Sequence, residues 1–171
     1  FAYKYNPYFY PSVTGGIIFS EIFGLSNDWF SYGKLRGNWA RVGKDVATPY
    51  LFDRKYTQYP TLPDGGYGAD PTMSVASNLQ PEISDSWEIG LETRFFSSKT
   101  RLDVAYYSTT VDNQIVTVRV SPASGYILQT RNEGNIKNHG VEISLDQDIL
   151  KNKDLFWTAT LNFGFNRGKV L

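Results

Sequence analysis

Between residues 84 and 107 apolar and polar side chains alternate one for one. Trp87, Ile89, Leu91 and Phe95 fall on one face of an extended chain, and Glu88, Gly90, Glu92 and Arg94 fall on the other. A period of two is what a β-strand with one apolar side produces. After the polar turn Ser97-Ser98-Lys99-Thr100 the pattern restarts, with Leu102, Val104 and Tyr106 opposed by Arg101 and Asp103. The stretch predicts a hairpin whose arms run roughly ten residues or more, past the ~5–6 of an ordinary strand. Symmetric closure of that turn sets Phe96 opposite Arg101, Phe95 opposite Leu102 and Arg94 opposite Asp103, the last a cross-strand pair worth ~0.2–1 kcal/mol. A one-residue slip would carry charge onto the apolar face.

The same alternation predicts strands on either side. Residues 12–23 place Val13, Ile17 and Phe19 against Thr14, Gly16 and Ser20, with Ile18 breaking the rule, and residues 34–42 place Leu35 and Trp39 against Lys34, Arg36 and Asn38. Residues 140–149 alternate Val141, Ile143 and Leu145 with Glu142, Ser144 and Asp146. The cleanest strand sets Trp157, Ala159, Leu161, Phe163 and Phe165 against Thr158, Thr160, Asn162, Gly164 and Asn166. Short turns near 24–31, 97–100 and 150–154 alternate with long connections over 43–83 and 112–138, the latter partly β-like at 114–120. The first of these contains Pro49, Pro60, Pro63, Pro71 and Pro81. A connection of that length is usually functional or disordered, and its tyrosines favour an ordered surface loop. Residues 1–10, rich in rings, read as a loop or strand end with an aromatic rim. No helical period with caps appears.

Composition narrows the setting. Aromatic residues make up 16% of the 171 residues, yet mean hydropathy is negative, so the rings are diluted by polar neighbours. The longest apolar run, Ile17-Ile18-Phe19, is far too short for a membrane helix of ~18 residues, whereas a barrel strand needs only ~9–11 of alternating character. Cysteine is absent, and Lys+Arg balance Asp+Glu at 17 each. Thiolate metal sites are thereby excluded, and there is no basic footprint for nucleic acid.

A soluble β-sandwich also alternates, so period alone leaves two readings open. Strand length, rings towards strand ends and closely spaced charges on the polar faces favour lipid on one side and water on the other. Alternating short and long connections match an outer-membrane barrel with short periplasmic turns and long extracellular loops. The predicted fold is therefore all-β, with antiparallel strands forming part of a large transmembrane outer-membrane β-barrel. A sheet can span lipid only when closed, so residues 1–171, which begin at Phe1 without a methionine or signal peptide, read as a partial barrel segment of about six strands. The alternative is a soluble carbohydrate-binding β-sandwich module.

Several stretches resemble the C-terminal barrel region of the SusC/RagA family of TonB-dependent outer-membrane transporters of Bacteroidetes. They are KLRGNWARVG (34–43), NLQPEISDSWEIGLE (78–92), DVAYY (103–107) with NQI (113–115), NEGNIKNHGVEI (132–143) and NFGFNRGKV (162–170). The family usually has small or charged residues where Glu133 and His139 stand. The resemblance implies a barrel of about 22 strands around a plug in the bacterial outer membrane and a SusD-like surface lipoprotein as lid. It also implies import of oligosaccharides or peptides driven through TonB. The plug domain, the TonB-contacting segment and the remaining strands are not in this sequence.

Candidate chemistry is sparse. Glu88 and Glu92 share a face but stand about 13 Å apart along the strand, too far for the paired carboxylates of a typical glycosidase. His139 has no second histidine to form a metal pair or dyad. The run from Asp64 to Asp70 lacks the ligand spacing of an EF-hand, and no strand-to-helix junction accompanies its glycines, so phosphate binding has little support. No catalytic residue, cofactor or metal is expected; a hydrolase would need residues from outside the segment. Tyr50, Phe52, Tyr56, Tyr59 and Tyr67 are candidates to stack on sugar rings, pack on a lid protein, or simply order their own loop. Arg36 is a candidate ligand-binding residue, and Arg36, Asn38, Asn162 and Asn166 suit a solute path or a plug-facing wall. Glu88, Glu92, Arg94, Asp103 and Asn162 are expected to face the lumen.

Overall fold

A computed structural model describes residues 9–45, 56–58, 66–69, 72–153 and 155–171. It places a six-stranded sheet where the alternation predicts one. The strands are β1 (Ser12–Ile17), β2 (Phe30–Lys44), β6 (Glu82–Phe95), β7 (Thr100–Asp112), β10 (Ile136–Lys151) and β11 (Phe156–Val170), and they neighbour one another in that order. β1 and β11 are its open edges. The 14 residues of β6 make about 46 Å of extended chain at ~3.3 Å per residue, more than a tilted crossing of ~9–11 residues needs.

Side-chain exposure distinguishes the two readings. Ile89 is 54% exposed, Leu91 38%, Leu161 66% and Phe163 57%, whereas the buried hydrophobic side chains among the described residues are Leu79 and Ala105. A two-layer sandwich would bury this apolar row, as would any soluble core of ordinary make-up. The polar faces instead engage one another: Ser86 and Thr109 hydroxyls lie 3.0 Å apart, and Thr160 donates to Asp146 at 2.6 Å. Rings collect at the end of the short turns. Trp29 and Phe30 each meet Phe95 edge-on at 5.4 and 5.5 Å, and Phe30 stacks with Phe19 at 6.1 Å.

Three expectations are corrected. The first predicted strand, 12–23, ends at Ile17, because Phe19–Ile22 winds into one helical turn, α1, that buries Ser20. The break at Ile18 marks this change. The central hairpin closes more tightly than a symmetric four-residue turn. The Lys99 amide donates to the Phe96 carbonyl at 3.2 Å, with Phe96, Ser97 and Ser98 all at positive φ. Contacts from Ser86 to Thr109 and from Thr93 to the Leu102 carbonyl accordingly pair the arms two residues further in. An even shift leaves every side chain on its expected face, but Arg94 does not meet Asp103.

The long connections are the third correction, since besides the β-like stretch expected at 114–120 they contain further short strands. Residues drawn from Gly43–Ile83 and Val111–Asn135 form a compact unit of their own. β3 (Tyr56–Gln58) pairs with β4 (Tyr67–Ala69), while β5 (Met73–Val75), β9 (Leu128–Asn132) and β8 (Ile115–Arg119) form a three-stranded sheet with β9 in the middle. Asn132 fastens this unit. Its amide nitrogen donates to the carbonyls of Gln80 and Asn113, both at 2.7 Å, and its oxygen accepts the Gln80 amide at 2.6 Å. The Glu82 carboxylate accepts the Ile115 amide at 2.9 Å.

Two outcomes are expected for the barrel that carries this sheet. Ile89→Arg should cost ~2–4 kcal/mol in urea unfolding from lipid vesicles, whereas Asn38→Arg on the polar face should stay within about 0.5 kcal/mol. Replacing Ser97 by Asn together with Ser98 by Gly, residues suited to two consecutive positive φ values, should stabilise the barrel by about 1 kcal/mol in the same assay.

Candidate functional site

The polar faces of β2, β6, β7, β10 and β11 lie side by side, and on them a shallow hollow of about 380 Å³ is lined by Arg36, Glu88, Asp103, Glu142, Ser144 and Asn162 among others. Its centre is Arg36. The guanidinium grips Asp103 in a fork, Nη1 to Oδ2 at 2.7 Å and Nη2 to Oδ1 at 2.9 Å, and its Nε stands 3.5 Å from Glu88. β2 and β7 are separated by β6, so the side chain must cross about two strand spacings of ~4.8 Å. Gly90 of β6 makes the crossing possible. A Cβ there would stand 2.5 Å from Arg36 Nε, and the missing side chain is the groove in which the guanidinium lies.

Further polar contacts join the strands within the hollow and past it. Ser144 donates to Asn162 at 2.8 Å, and these residues are cross-strand partners. Arg101 reaches the buried carboxylate of Asp148 at 3.1 Å, which also accepts from Thr158 at 3.1 Å. Within the hollow one guanidinium faces three carboxylates, those of Glu88, Asp103 and Glu142. Such a surface suits hydration and polar contacts to a solute or a neighbouring domain. It holds no nucleophile and base in hydrogen-bond reach of one another, and among the described residues no group of three or more acidic or histidine side chains is placed to hold a metal ion.

The structure thus brings Arg36, Glu88, Asp103 and Asn162 together. Arg94 stands apart. It pairs with Glu92 at 2.9 Å and lies 4.7 Å above the Tyr32 ring, with its Nε enclosed and without a hydrogen-bond partner. Asn38 lies opposite Thr14, and Asn166 opposite Gly140. Tyr56 is exposed in β3, and Tyr67 sits opposite Gln58 in the β3–β4 pair. Tyr50, Phe52 and Tyr59 fall outside the described residues, as do Asp64, Gly65 and Asp70 of the glycine-rich run. The bridging of Gly90 by Arg36 was missed in the sequence; its signal was a glycine among the charged positions of β6, two residues from Glu88 and from Glu92.

The sequence matches the family described as TonB dependent receptor-like, beta-barrel, over residues 3–170. It is 26% identical, over 95% of its length, to the TonB-dependent receptor P26 of Formosa agariphila, and 26% identical, over 80% of its length, to the TonB-dependent receptor SusC of Bacteroides thetaiotaomicron. The chain spans 17% and 14% of those relatives. The structure of the RagAB peptide transporter superposes with a TM-score of 0.82 at 25% identity, over 94% of this chain and 18% of that one. The RagAB peptide importer in its open-open state gives 0.81 at the same identity and coverage.

Arg36 and Asp103 each keep about a third of their side-chain surface in solvent, so screening limits their pairing. A double-mutant cycle read by urea unfolding should give a coupling of about 1 kcal/mol. In a Gly90→Val background, where the groove is filled, that coupling should fall to zero.

Proposed function

The chain belongs to the TonB dependent receptor-like β-barrel family, and from that premise we propose that it forms part of the wall of an importer that carries oligosaccharides or peptides across the bacterial outer membrane. In this reading the six-stranded sheet closes with further strands of the complete protein, since hydrocarbon tolerates no unpaired sheet edge. The apolar face meets acyl chains, and the polar face, with Arg36, Glu88, Glu92, Arg94, Asp103 and Asn162, lines the lumen against a plug. The observation that carries the reading is the uncovered apolar row from Ile89 to Leu91 and from Leu161 to Phe163, backed by an ion-paired polar face.

Cargo class, lid and energy source are part of this proposal and rest on similarity. The relative named SusC and the RagAB peptide transporter support glycan or peptide cargo, a SusD-like lipoprotein at the cell surface, and drive through TonB. The hollow adds a physical preference: with three carboxylates to one guanidinium, it favours neutral or cationic solutes over anionic ones. The family is one of transporters and receptors rather than enzymes, and the polar face contributes binding groups, not catalytic ones.

Deleting the complete gene should abolish uptake of labelled cargo of one class, oligosaccharide or peptide, and re-expression should restore it. Removing the lid lipoprotein should lower uptake without removing the barrel from the membrane. Unchanged uptake of both classes in the deletion strain would overturn the proposal.

A further inference from the structure

The register of β10 and β11 sets cation against cation. Lys137 lies opposite Lys169, and His139 lies opposite Arg167. By the alternation of both strands these four stand on the same face as the apolar pairs Val141–Phe165, Ile143–Phe163 and Leu145–Leu161. Like charges directly opposite one another destabilise a strand pair. Neither strand supplies relief, since no carboxylate occupies that face of β10 or β11. The side chains of Lys137, Arg167 and Lys169 are exposed, and among the described residues no ion pair engages them. Among the described residues these cations are left facing one another with no carboxylate paired to them, and an anion at the lipid–water boundary is a partner that could relieve them.

Position identifies that partner. The β10–β11 connection is short, with the Asn152 amide bonded to the Leu155 carbonyl at 2.9 Å, which marks the periplasmic end. From Trp157 to Phe165 the apolar row of β11 covers about 26 Å of extended chain, or about 20 Å of height at a barrel strand's tilt, most of the ~25 Å band of a membrane barrel. Arg167, Lys169 and Lys137 come next, at the level of the headgroups in the outer leaflet. An arginine fork matches a phosphate in two bonds, and lysines add point charges beside it.

Resting on the reading of this sheet as membrane wall, we propose that Lys137, Arg167 and Lys169 form a docking site for the phosphate-bearing headgroup of an outer-leaflet lipid. The phosphate lies between the two strands and turns their mutual repulsion into attraction to a shared anion. His139 packs beside it, with its Nδ1 enclosed and without a hydrogen-bond partner. The site is continuous with the lipid-facing band, so a lipid whose chains lie along Phe165 and Val141 presents its headgroup there.

The complete protein, purified in mild detergent, tests this by native mass spectrometry with diphosphorylated lipid A and its dephosphorylated form as probes. The wild type should retain the phosphorylated lipid selectively. Each of Lys137→Gln, Arg167→Gln and Lys169→Gln should weaken retention roughly fivefold. Arg167→Lys should keep part of the binding, and Lys151→Gln at the opposite end of β10 should change nothing. Equal retention of both lipids, or unaltered retention in the triple variant, overturns the site. Heat-modifiable migration keeps the outcomes separate: a folded, inserted barrel without selectivity sinks the lipid site alone, whereas a wild-type protein that never inserts sinks the transporter reading with it.

Discussion

Hydrocarbon offers no hydrogen bonds, and that single constraint governs the sheet. Every amide and carbonyl at membrane depth has to find a partner on a neighbouring strand. Strands of 13 to 16 residues in β2, β6, β7, β10 and β11 meet it by running unbroken across the apolar band. Irregularity is displaced to the ends. The register of β10 and β11 shifts between Asp148 and Leu150, next to their connection, and the positive φ angles of the central hairpin lie in its turn.

With the backbone satisfied in this way, the side chains divide by solvent rather than by depth in a core. The apolar row is left uncovered, and the polar row builds its own cohesion from ion pairs and hydroxyl contacts. The crossing of Gly90 by Arg36 shows how far this goes: a glycine, ordinarily a weak point in a strand, becomes the channel through which three neighbouring strands are tied on the wetted side. On that side an isosteric apolar exchange would not do the same work, because the network itself is hydrated and its value lies in fixing the shape of the wall.

What could be read beforehand follows from how each feature is encoded. The five long strands β2, β6, β7, β10 and β11 and their two faces were legible because the alternation persists over many residues, and a signal of that length survives an error of register by two. The turn was not legible to that resolution, since nothing in Ser97-Ser98 announces positive φ as an Asn-Gly pair would. β3, β4 and β5 have three residues each, too few for any period to show. The partner of Asp103 was misassigned because it sits two strands away, a neighbour that sequence spacing cannot reveal. The aromatic loop residues Tyr50, Phe52 and Tyr59 were chosen for chemistry alone, with no period to orient them.

Asn132 has a consequence for how this part of the long connections would meet another molecule. With three hydrogen bonds from one side chain spanning Gln80 and Asn113, this part of the long connections is shaped before any visitor arrives. Little ordering entropy is then left to surrender on contact. Discrimination here would arise from rigid fit, not from a segment that folds around its guest, and encounters of such a surface should be fast to form and sensitive to small changes in outline.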